Sequence, residues 1–168
     1  LHKIQLLCKS IFFISCCVTL SVYLSSLIER PILWINNVSC DMLCASSNHE
    51  KKSKKIKLNE FSEIKITSTL FELAKTKISP SMIFTLRKIK NDYDIIHIHH
   101  PVPMATIAMF FSGYKGKVVL HWHSDILSQK YLLKLYKPLQ TWLLKRADLI
   151  LGTTPVYSQC SEDLDKYK

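Results

Sequence analysis

The sequence predicts an α/β domain whose parallel β-sheet carries helices on both faces. Short apolar runs alternate with amphipathic runs of helical length from residue 38 onwards. Alternation at this spacing favours parallel strands that are joined by right-handed crossover helices. The size agrees, because 168 residues, 48% of them hydrophobic, are enough for one domain with a packed core.

Residues 38–67 supply the first strands of this predicted sheet. An apolar run over residues 38–45 is typical of a buried strand, and residues 64–67 resume a strand-like alternation. Between them lies a dense basic run, which we interpret as a solvated loop, with a contact to anionic lipid as the alternative. Its five lysines are Lys51, Lys52, Lys54, Lys55 and Lys57.

The rest of the chain repeats strand, loop and helix. Ser79 and Pro80 start a helix at residues 80–90, because serine is a favoured N-cap and proline fits the first helical turn. Thr154 and Pro155 open another helix in the same way. The remaining predicted elements are strands at 95–99, 117–122 and 147–151, and helices at 104–111 and 127–144.

Residues 1–37 are predicted as a divergent apolar segment. Residues 11–28 carry no charge and lie between Lys9 and Glu29, and 18 residues are close to the minimum for a membrane span. Their β-branched residues and cysteines also suit a buried element of the domain. We therefore expect either a membrane anchor or a degraded first strand and helix.

The amino-acid composition indicates what kind of binding partner and which cellular compartment to expect. Lysine and arginine number 23 against 13 aspartates and glutamates, a net charge of +10. This excess favours an anionic partner such as a membrane surface, a phosphorylated lipid or a nucleic acid. Five of the six cysteines crowd into the first 44 residues among apolar neighbours, which favours a reducing, cytoplasmic setting over a disulfide framework.

Glycine is absent from the first 112 residues, and the whole chain has only three, Gly113, Gly116 and Gly152. A Walker loop or a dinucleotide fingerprint needs glycine so that backbone amides can approach the phosphates. We therefore do not expect this segment to bind a nucleotide.

Polar residues collect where three predicted strands end, in the sets His97, His99 and His100, then His121, His123 and Asp125, then Thr153 and Thr154. Ligands of an open parallel sheet bind at the carboxyl ends of its strands, so these residues form the candidate site. Side chains two apart on a strand share a face, which pairs His97 with His99 and His121 with His123.

Three interpretations of these histidines remain open from the residues alone. They could cap strand ends and satisfy loop carbonyls. They could ligate zinc or another divalent ion, as in a metal-dependent hydrolase, although no carboxylate or cysteine is spaced to complete the shell. They could also donate hydrogen bonds, or act as a base, toward a sugar hydroxyl or a phosphate.

Three motifs in register resemble family 4 glycosyltransferases: YDIIHIHHPVP at 93–103, KVVLHWHSD at 117–125 and RADLILGTTPVY at 146–157. The resemblance covers roughly residues 38–168 and is fairly specific because order and spacing match together. It implies the Rossmann-like amino-terminal half of a GT-B fold, which holds the acceptor while a second domain holds the nucleotide-sugar.

By that resemblance, His123 stands at the position of the family's cleft histidine, close to the transferring sugar, and is the catalytic candidate. The acceptor-binding candidates are His99, His100, Asp125 and Thr154. The resemblance implies no metal or other cofactor and no nucleic acid. It implies transfer of a hexose to a saccharide or lipid-linked saccharide in cell-surface polysaccharide synthesis, at the cytoplasmic face of the membrane.

The sequence departs from the family pattern in two ways. The family opens with a strand and a glycine-rich turn, neither of which is visible in residues 1–37, and the donor domain is absent. Because the chain starts at Leu1 and keeps a helical pattern to Lys168, we expect a fragment that is inactive alone. The rival hypothesis is a membrane-anchored basic binding module without catalysis, in which residues 11–28 span the bilayer.

Overall fold

The structure is a computed structural model that describes residues 10–15, 38–46, 52–73, 76–126, 130–154, 161 and 163–164. The strands in these ranges are β1 (Ser10–Ser15), β2 (Ser39–Ala45), β3 (Lys54–Asn59), β4 (Ser62–Thr67), β5 (Phe71–Leu73), β6 (Thr76–Ile78), β7 (Ile95–His100), β8 (Lys117–Trp122) and β9 (Leu149–Gly152). The α-helices are α1 (Pro80–Ile89), α2 (Pro103–Ser112) and α3 (Lys130–Arg146).

Seven of these strands form one sheet in the order β3-β4-β2-β1-β7-β8-β9. All neighbours run parallel except β3, which lies antiparallel to β4 at one edge. Outward from β1 the order is β2, β4 and β3 on one side and β7, β8 and β9 on the other, so the direction of winding reverses between β1 and β7. A doubly wound sheet opens its ligand crevice at such a point. The predicted α/β, Rossmann-like class is confirmed.

Strand β1 lies at the centre of the sheet, between β2 and β7. Residues 10–15 thus form a strand within the segment predicted as either a membrane anchor or a degraded first strand and helix, and Phe12 and Ile14 are fully buried. A central parallel strand is covered on both faces, so its sequence is apolar throughout and resembles part of a membrane span. None of the described helices is long and apolar enough to cross a membrane. Residues 16–37, which hold the rest of the predicted anchor, lie outside the described residues.

The lysine run also differs from its prediction. Lys54–Asn59 forms the edge strand β3 rather than a loop, and Lys54, Lys55 and Lys57 are exposed there. Charged side chains suit an edge strand because they prevent it from pairing with a strand of another molecule. A basic, alternating run of this kind therefore fits an edge strand as well as a loop.

The predicted helices agree with the structure where both can be compared. Helix α1 begins at Pro80 with Ser79 as its N-cap residue, but the Ser79 hydroxyl donates to the Ser68 carbonyl oxygen at 2.6 Å instead of capping the helix. The predicted helix that starts at Thr154 and Pro155 falls almost wholly on residues outside the described ranges.

The three described helices pack on one face of the sheet. Helices were predicted on both faces. Their shared core joins strand residues to helix residues, among them Phe12, Leu43, Ile96, Ile98, Val118, Leu120, Met82, Leu86, Met109 and Leu143. The opposite face of β2 and β4 carries a smaller buried cluster of Cys40, Met42, Cys44 and Ile64. Successive residues of β2 thus alternate between two apolar environments, as a strand inside a layered domain must.

Strands β5 and β6 form a hairpin that the sequence did not predict. It follows the carboxyl end of β4, and the Leu70 amide donates to the Ile78 carbonyl oxygen at its base, at 2.9 Å. Its apolar side chains face water, since Leu70, Phe71 and Leu73 are exposed by 65%, 51% and 50%. Three large apolar side chains are therefore exposed within four consecutive residues.

Candidate active site

The candidate site lies at the carboxyl ends of β7 and β8, next to the reversal of strand order. These strands pair in parallel, with His97 opposite Val119 and His99 opposite His121. Alternation along each strand places His97 and His99 on the same face as His121. The predicted same-facing pairs are confirmed, because the His97 and His99 rings stack at 4.8 Å and the His121 and His123 rings at 4.0 Å.

The four rings form one cluster that spans both strands. His99 lies at the centre, with ring centroids 5.2 Å from His121 and 5.2 Å from His123. Its Nδ1 is 2.9 Å from His123 Nε2, a hydrogen bond whose direction depends on the tautomers of the two rings. This bond orients the ring of His123, and the His123 amide donates to the His100 carbonyl oxygen at 3.1 Å, which holds its backbone beside the end of β7.

His121 and His123 are neutral near physiological pH. Burial, and then the neighbouring His123, lower the pKa of His121 to about 4. Burial also lowers the pKa of His123 below its ordinary value. A neutral imidazole carries one N–H donor and one acceptor nitrogen, so it can hydrogen-bond a hydroxyl in both directions or ligate a metal ion.

His100 and Asp125 lie on the other side of the sheet, away from this cluster. His100 is 1% exposed and its ring stacks on the Trp122 indole, with centroids 3.7 Å apart. Burial lowers the pKa of His100 to about 4. Asp125 accepts hydrogen bonds from Trp122 Nε1 and Ser161 Oγ, each at 2.8 Å. Of the predicted acceptor-binding residues, these two hold the end of β8 in place within the helix-side core.

The two threonines after β9 have different surroundings. Thr153 donates its hydroxyl to the Trp122 carbonyl oxygen at 3.1 Å and so ties β9 to the end of β8. Thr154, predicted to bind the acceptor, is exposed at the same edge of the sheet. The structure therefore brings His99 and His123 into contact, places Thr154 at the same edge, and separates His100 and Asp125 from them.

Three of the clustered histidines could also hold a metal ion. One ring nitrogen from each of His97, His99 and His121 lies within 4.8 Å of the other two. We did not predict this triplet from the sequence, although the alternation of side chains within the strands and the pairing of two adjacent strands were sufficient to assemble it.

Comparison with known proteins places these observations in a family. Residues 37–159 match the family model described as Glycosyltransferase Family 4. The chain belongs to glycosyltransferase family 4. The match includes every residue of the histidine cluster and both threonines after β9, so the candidate site lies inside the family domain.

Two curated relatives match shorter stretches of this family 4 chain. An O-antigen chain mannosyltransferase C from Escherichia coli is 39% identical over 99 residues, which are 59% of the chain and 27% of that protein. The D-rhamnosyltransferase WbpZ from Pseudomonas aeruginosa is 34% identical over 97 residues, 58% of the chain and 26% of that protein. The matched part thus spans about a quarter of the length of these relatives.

Solved structures show the same fold at low sequence identity. A sucrose-phosphate synthase structure from Thermosynechococcus elongatus superposes with a TM-score of 0.64 at 14% identity, over 94% of this chain and 84% of that one. A second sucrose-phosphate synthase structure from the same organism gives a TM-score of 0.58 over 90% of this chain and 44% of that one. The family 4 chain therefore shares its architecture with these sucrose-phosphate synthases.

Proposed function

We propose that the protein carrying this chain transfers a hexose from a nucleotide-sugar to a saccharide or lipid-linked saccharide, in the synthesis of a cell-surface polysaccharide. The names of the two relatives, an O-antigen mannosyltransferase and a D-rhamnosyltransferase, support this substrate class. The observation that carries the proposal is the His99–His123 pair, held at 2.9 Å at the carboxyl edge of the sheet.

We assign this chain the acceptor side of the cleft. Its first 112 residues contain no glycine, so a glycine-rich phosphate loop is not available in β1, β2 or their connections. The nucleotide-sugar would be bound by residues beyond the quarter of the relatives that this chain matches. We accordingly expect the chain by itself to have little or no transferase activity.

In the reaction, the acceptor hydroxyl oxygen forms a bond to the anomeric carbon while the bond from that carbon to the nucleoside diphosphate breaks. The diphosphate leaves with the electron pair of the broken bond, and its oxygen takes up the proton that the acceptor hydroxyl loses. His123 is a neutral imidazole beside this centre, and its role is to hydrogen-bond a hydroxyl of the transferring sugar. His99 is a positioning residue that holds the His123 ring through the Nδ1–Nε2 contact.

A transfer assay tests this function. The protein that carries these residues together with a nucleotide-sugar domain is incubated with membrane lipid extract and radiolabelled nucleotide hexoses, including those of mannose and rhamnose. We expect label in the lipid-extractable saccharide for one of these donors. Label released only as free sugar, or retained in every donor, would contradict the proposal.

We further propose that the protein is cytoplasmic and associates peripherally with the anionic inner face of the membrane. The exposed lysines of β3 support this, because Lys54 lies at the carboxyl end of β4, from which the β5–β6 hairpin continues. The Ser68 amide donates to Ser53 Oγ at 3.3 Å and joins the two segments. Basic side chains beside the exposed Leu70 and Phe71 form a surface that suits anionic lipid headgroups and the acyl boundary.

Replacing Lys54, Lys55 and Lys57 together by glutamine should weaken binding to phosphatidylglycerol-rich vesicles at least about 10-fold, since each lysine near such a surface contributes about 1 kcal/mol. Vesicle sedimentation measures this. Glutamine at the exposed Lys88, Lys134 and Lys145 removes the same charge from the helices and should have a smaller effect. Equal binding to vesicles of neutral lipid would contradict the proposal. A requirement for detergent to release the wild type would favour the membrane-anchored alternative.

A further inference from the structure

We propose that His97, His99 and His121 together form a binding site for a divalent transition-metal ion, with zinc as the best match. The site goes beyond sugar transfer, although it shares His99 with the His99–His123 pair proposed for that reaction, and metal binding can be measured without any transfer. Each of the three side chains offers a ring nitrogen, and the three nitrogens lie within 4.8 Å of one another. In the sequence, no carboxylate or cysteine is spaced to complete a metal shell. Three histidine ligands and a water molecule form a zinc shell without either.

The backbone arrangement is the one that such a donor set requires. His97 and His99 are two apart on β7, so both point to one face, and His121 lies directly opposite His99 on β8. Both strands lie inside the sheet with a neighbour on each side. Three ligands on two paired inner strands are fixed relative to one another, and little conformational entropy remains to be lost when an ion binds.

The three ring nitrogens have to move closer together by a small distance before they can bind one ion. Zinc binds imidazole nitrogen at about 2.0–2.1 Å in a tetrahedral shell. That geometry separates two ligand nitrogens by about 3.4 Å, so nitrogens that lie within 4.8 Å have to approach by at most about 1.4 Å. The His97 and His99 rings also lie parallel, 6° apart, and an imidazole ligates through a lone pair in its ring plane. Binding therefore requires these two rings to rotate about their side-chain bonds, both to close this distance and to turn out of their stack.

His123 lies next to the three proposed ligands and can support one of them, His99. A histidine that ligates a metal through one nitrogen ordinarily donates a hydrogen bond from the other, which fixes its tautomer. His99 Nδ1 already contacts His123 Nε2 at 2.9 Å, so His99 would ligate through Nε2 while His123 accepts from Nδ1. The fourth position of the shell is then open to water or to another small ligand.

The donor set also selects the class of metal. Imidazole nitrogen suits zinc, copper, nickel and iron, whereas magnesium and calcium require oxygen ligands. The described residues of the cluster contribute no carboxylate to the set of three. Magnesium should therefore not compete for the site.

Cobalt(II) in place of zinc provides a direct test, because its visible absorption reports the number and type of ligands. Titration of the chain with cobalt(II) chloride near neutral pH should give an intense visible band that saturates at one equivalent. Zinc(II) should abolish the band, and magnesium(II) should not. His97→Gln and His121→Gln should each weaken binding by at least about 100-fold, and His123→Gln, outside the shell, by about 10-fold.

His49→Gln serves as the matched control, since it removes an imidazole elsewhere in the sequence and should leave the cobalt affinity unchanged. If the variants fail to fold, proton NMR of the wild type with bound cobalt(II) provides the test instead. Three histidine rings should then show cobalt-induced hyperfine shifts. Absence of the visible band, shifts in fewer than three rings, or equal loss of affinity in His49→Gln would overturn the proposal.

Discussion

Replacing Asp41 by leucine should destabilise the fold by about 3 kcal/mol, because it leaves the ammonium group of Lys65 buried with one of its two carboxylates removed. Lys65 Nζ lies 2.6 Å from Asp41 Oδ2 and 2.9 Å from Glu63 Oε1. The Tyr93 hydroxyl also donates to Asp41 Oδ2. Glu63 remains in the variant, which places the expected loss at the lower end of the range for broken buried ion pairs.

Urea unfolding followed by circular dichroism measures the effect. Lys55→Gln is the matched control, since Lys55 pairs with Glu63 at 3.7 Å on an exposed surface and such a pair contributes less than about 1 kcal/mol. The double variant Asp41→Leu, Lys65→Met should regain at least half of the lost stability, because the buried charge is gone. A double variant as unstable as Asp41→Leu would show that the packing around Asp41, rather than the charge of Lys65, determines the loss.

The ionisation of Lys65 sets the pH range of this experiment. Burial by itself lowers the pKa of Lys65, but hydrogen bonds to Asp41, Glu63 and Tyr93 outweigh it and hold that pKa above the ordinary value. A lysine whose pKa is raised in the folded state contributes its full stabilisation below the unfolded value, about 10.4. The contribution is lost only as the pH rises through the higher folded value, so the comparison is made at neutral pH.

The parallel strands on the carboxyl-terminal side of the sheet were predictable because each is a short apolar run between clear breaks. Residues 95–99 and 117–122 are followed by polar residues and helix starts, and the observed strands are Ile95–His100 and Lys117–Trp122. Periodicity and start signals suffice for such units, since the local sequence alone distinguishes the strand from the following helix.

Strands β1 and β3 escaped prediction for opposite reasons. The apolar run that contains β1 is compatible with a membrane segment as well as a strand covered on both faces, and only pairing with β2 and β7 distinguishes them. Strand β3 is so polar that it resembles a loop, and it is a strand because β4 offers it an open edge. In both cases the deciding interaction is made with residues distant in the sequence.

The candidate site could be predicted only in part. Alternation along β7 pairs His97 with His99, and the same rule places His100 on the opposite face of the sheet. The assignment of His100 to the acceptor side rested on the family resemblance and stays a prediction. Asp125 follows the strand in a loop, where no period applies, and its contact with the Trp122 indole is a matter of tertiary packing. The Asp41–Lys65–Tyr93 network joins residues 24 to 52 positions apart, which no local pattern indicates.

Replacing His123 by alanine should reduce the rate of sugar transfer about 100-fold in the protein that carries these residues with a nucleotide-sugar domain. One positioned imidazole that hydrogen-bonds the reacting sugar accounts for an effect of about this size. The assay measures kcat and KM with the labelled donor. His123→Asn, which keeps a hydrogen-bond donor and an acceptor, should recover part of kcat, whereas a purely structural role would show no such recovery.

A double variant tests the contact between His99 and His123 more strictly than either single variant. His99→Gln should lower kcat about 10-fold, because the ring of His123 loses the partner that orients it at 2.9 Å. If His99 acts through His123, the double variant His99→Gln, His123→Ala should be no slower than His123→Ala, since residues that act as a unit are not additive. Two losses that multiply would instead mean that His99 contacts the substrate independently, and the positioning role would have to be abandoned.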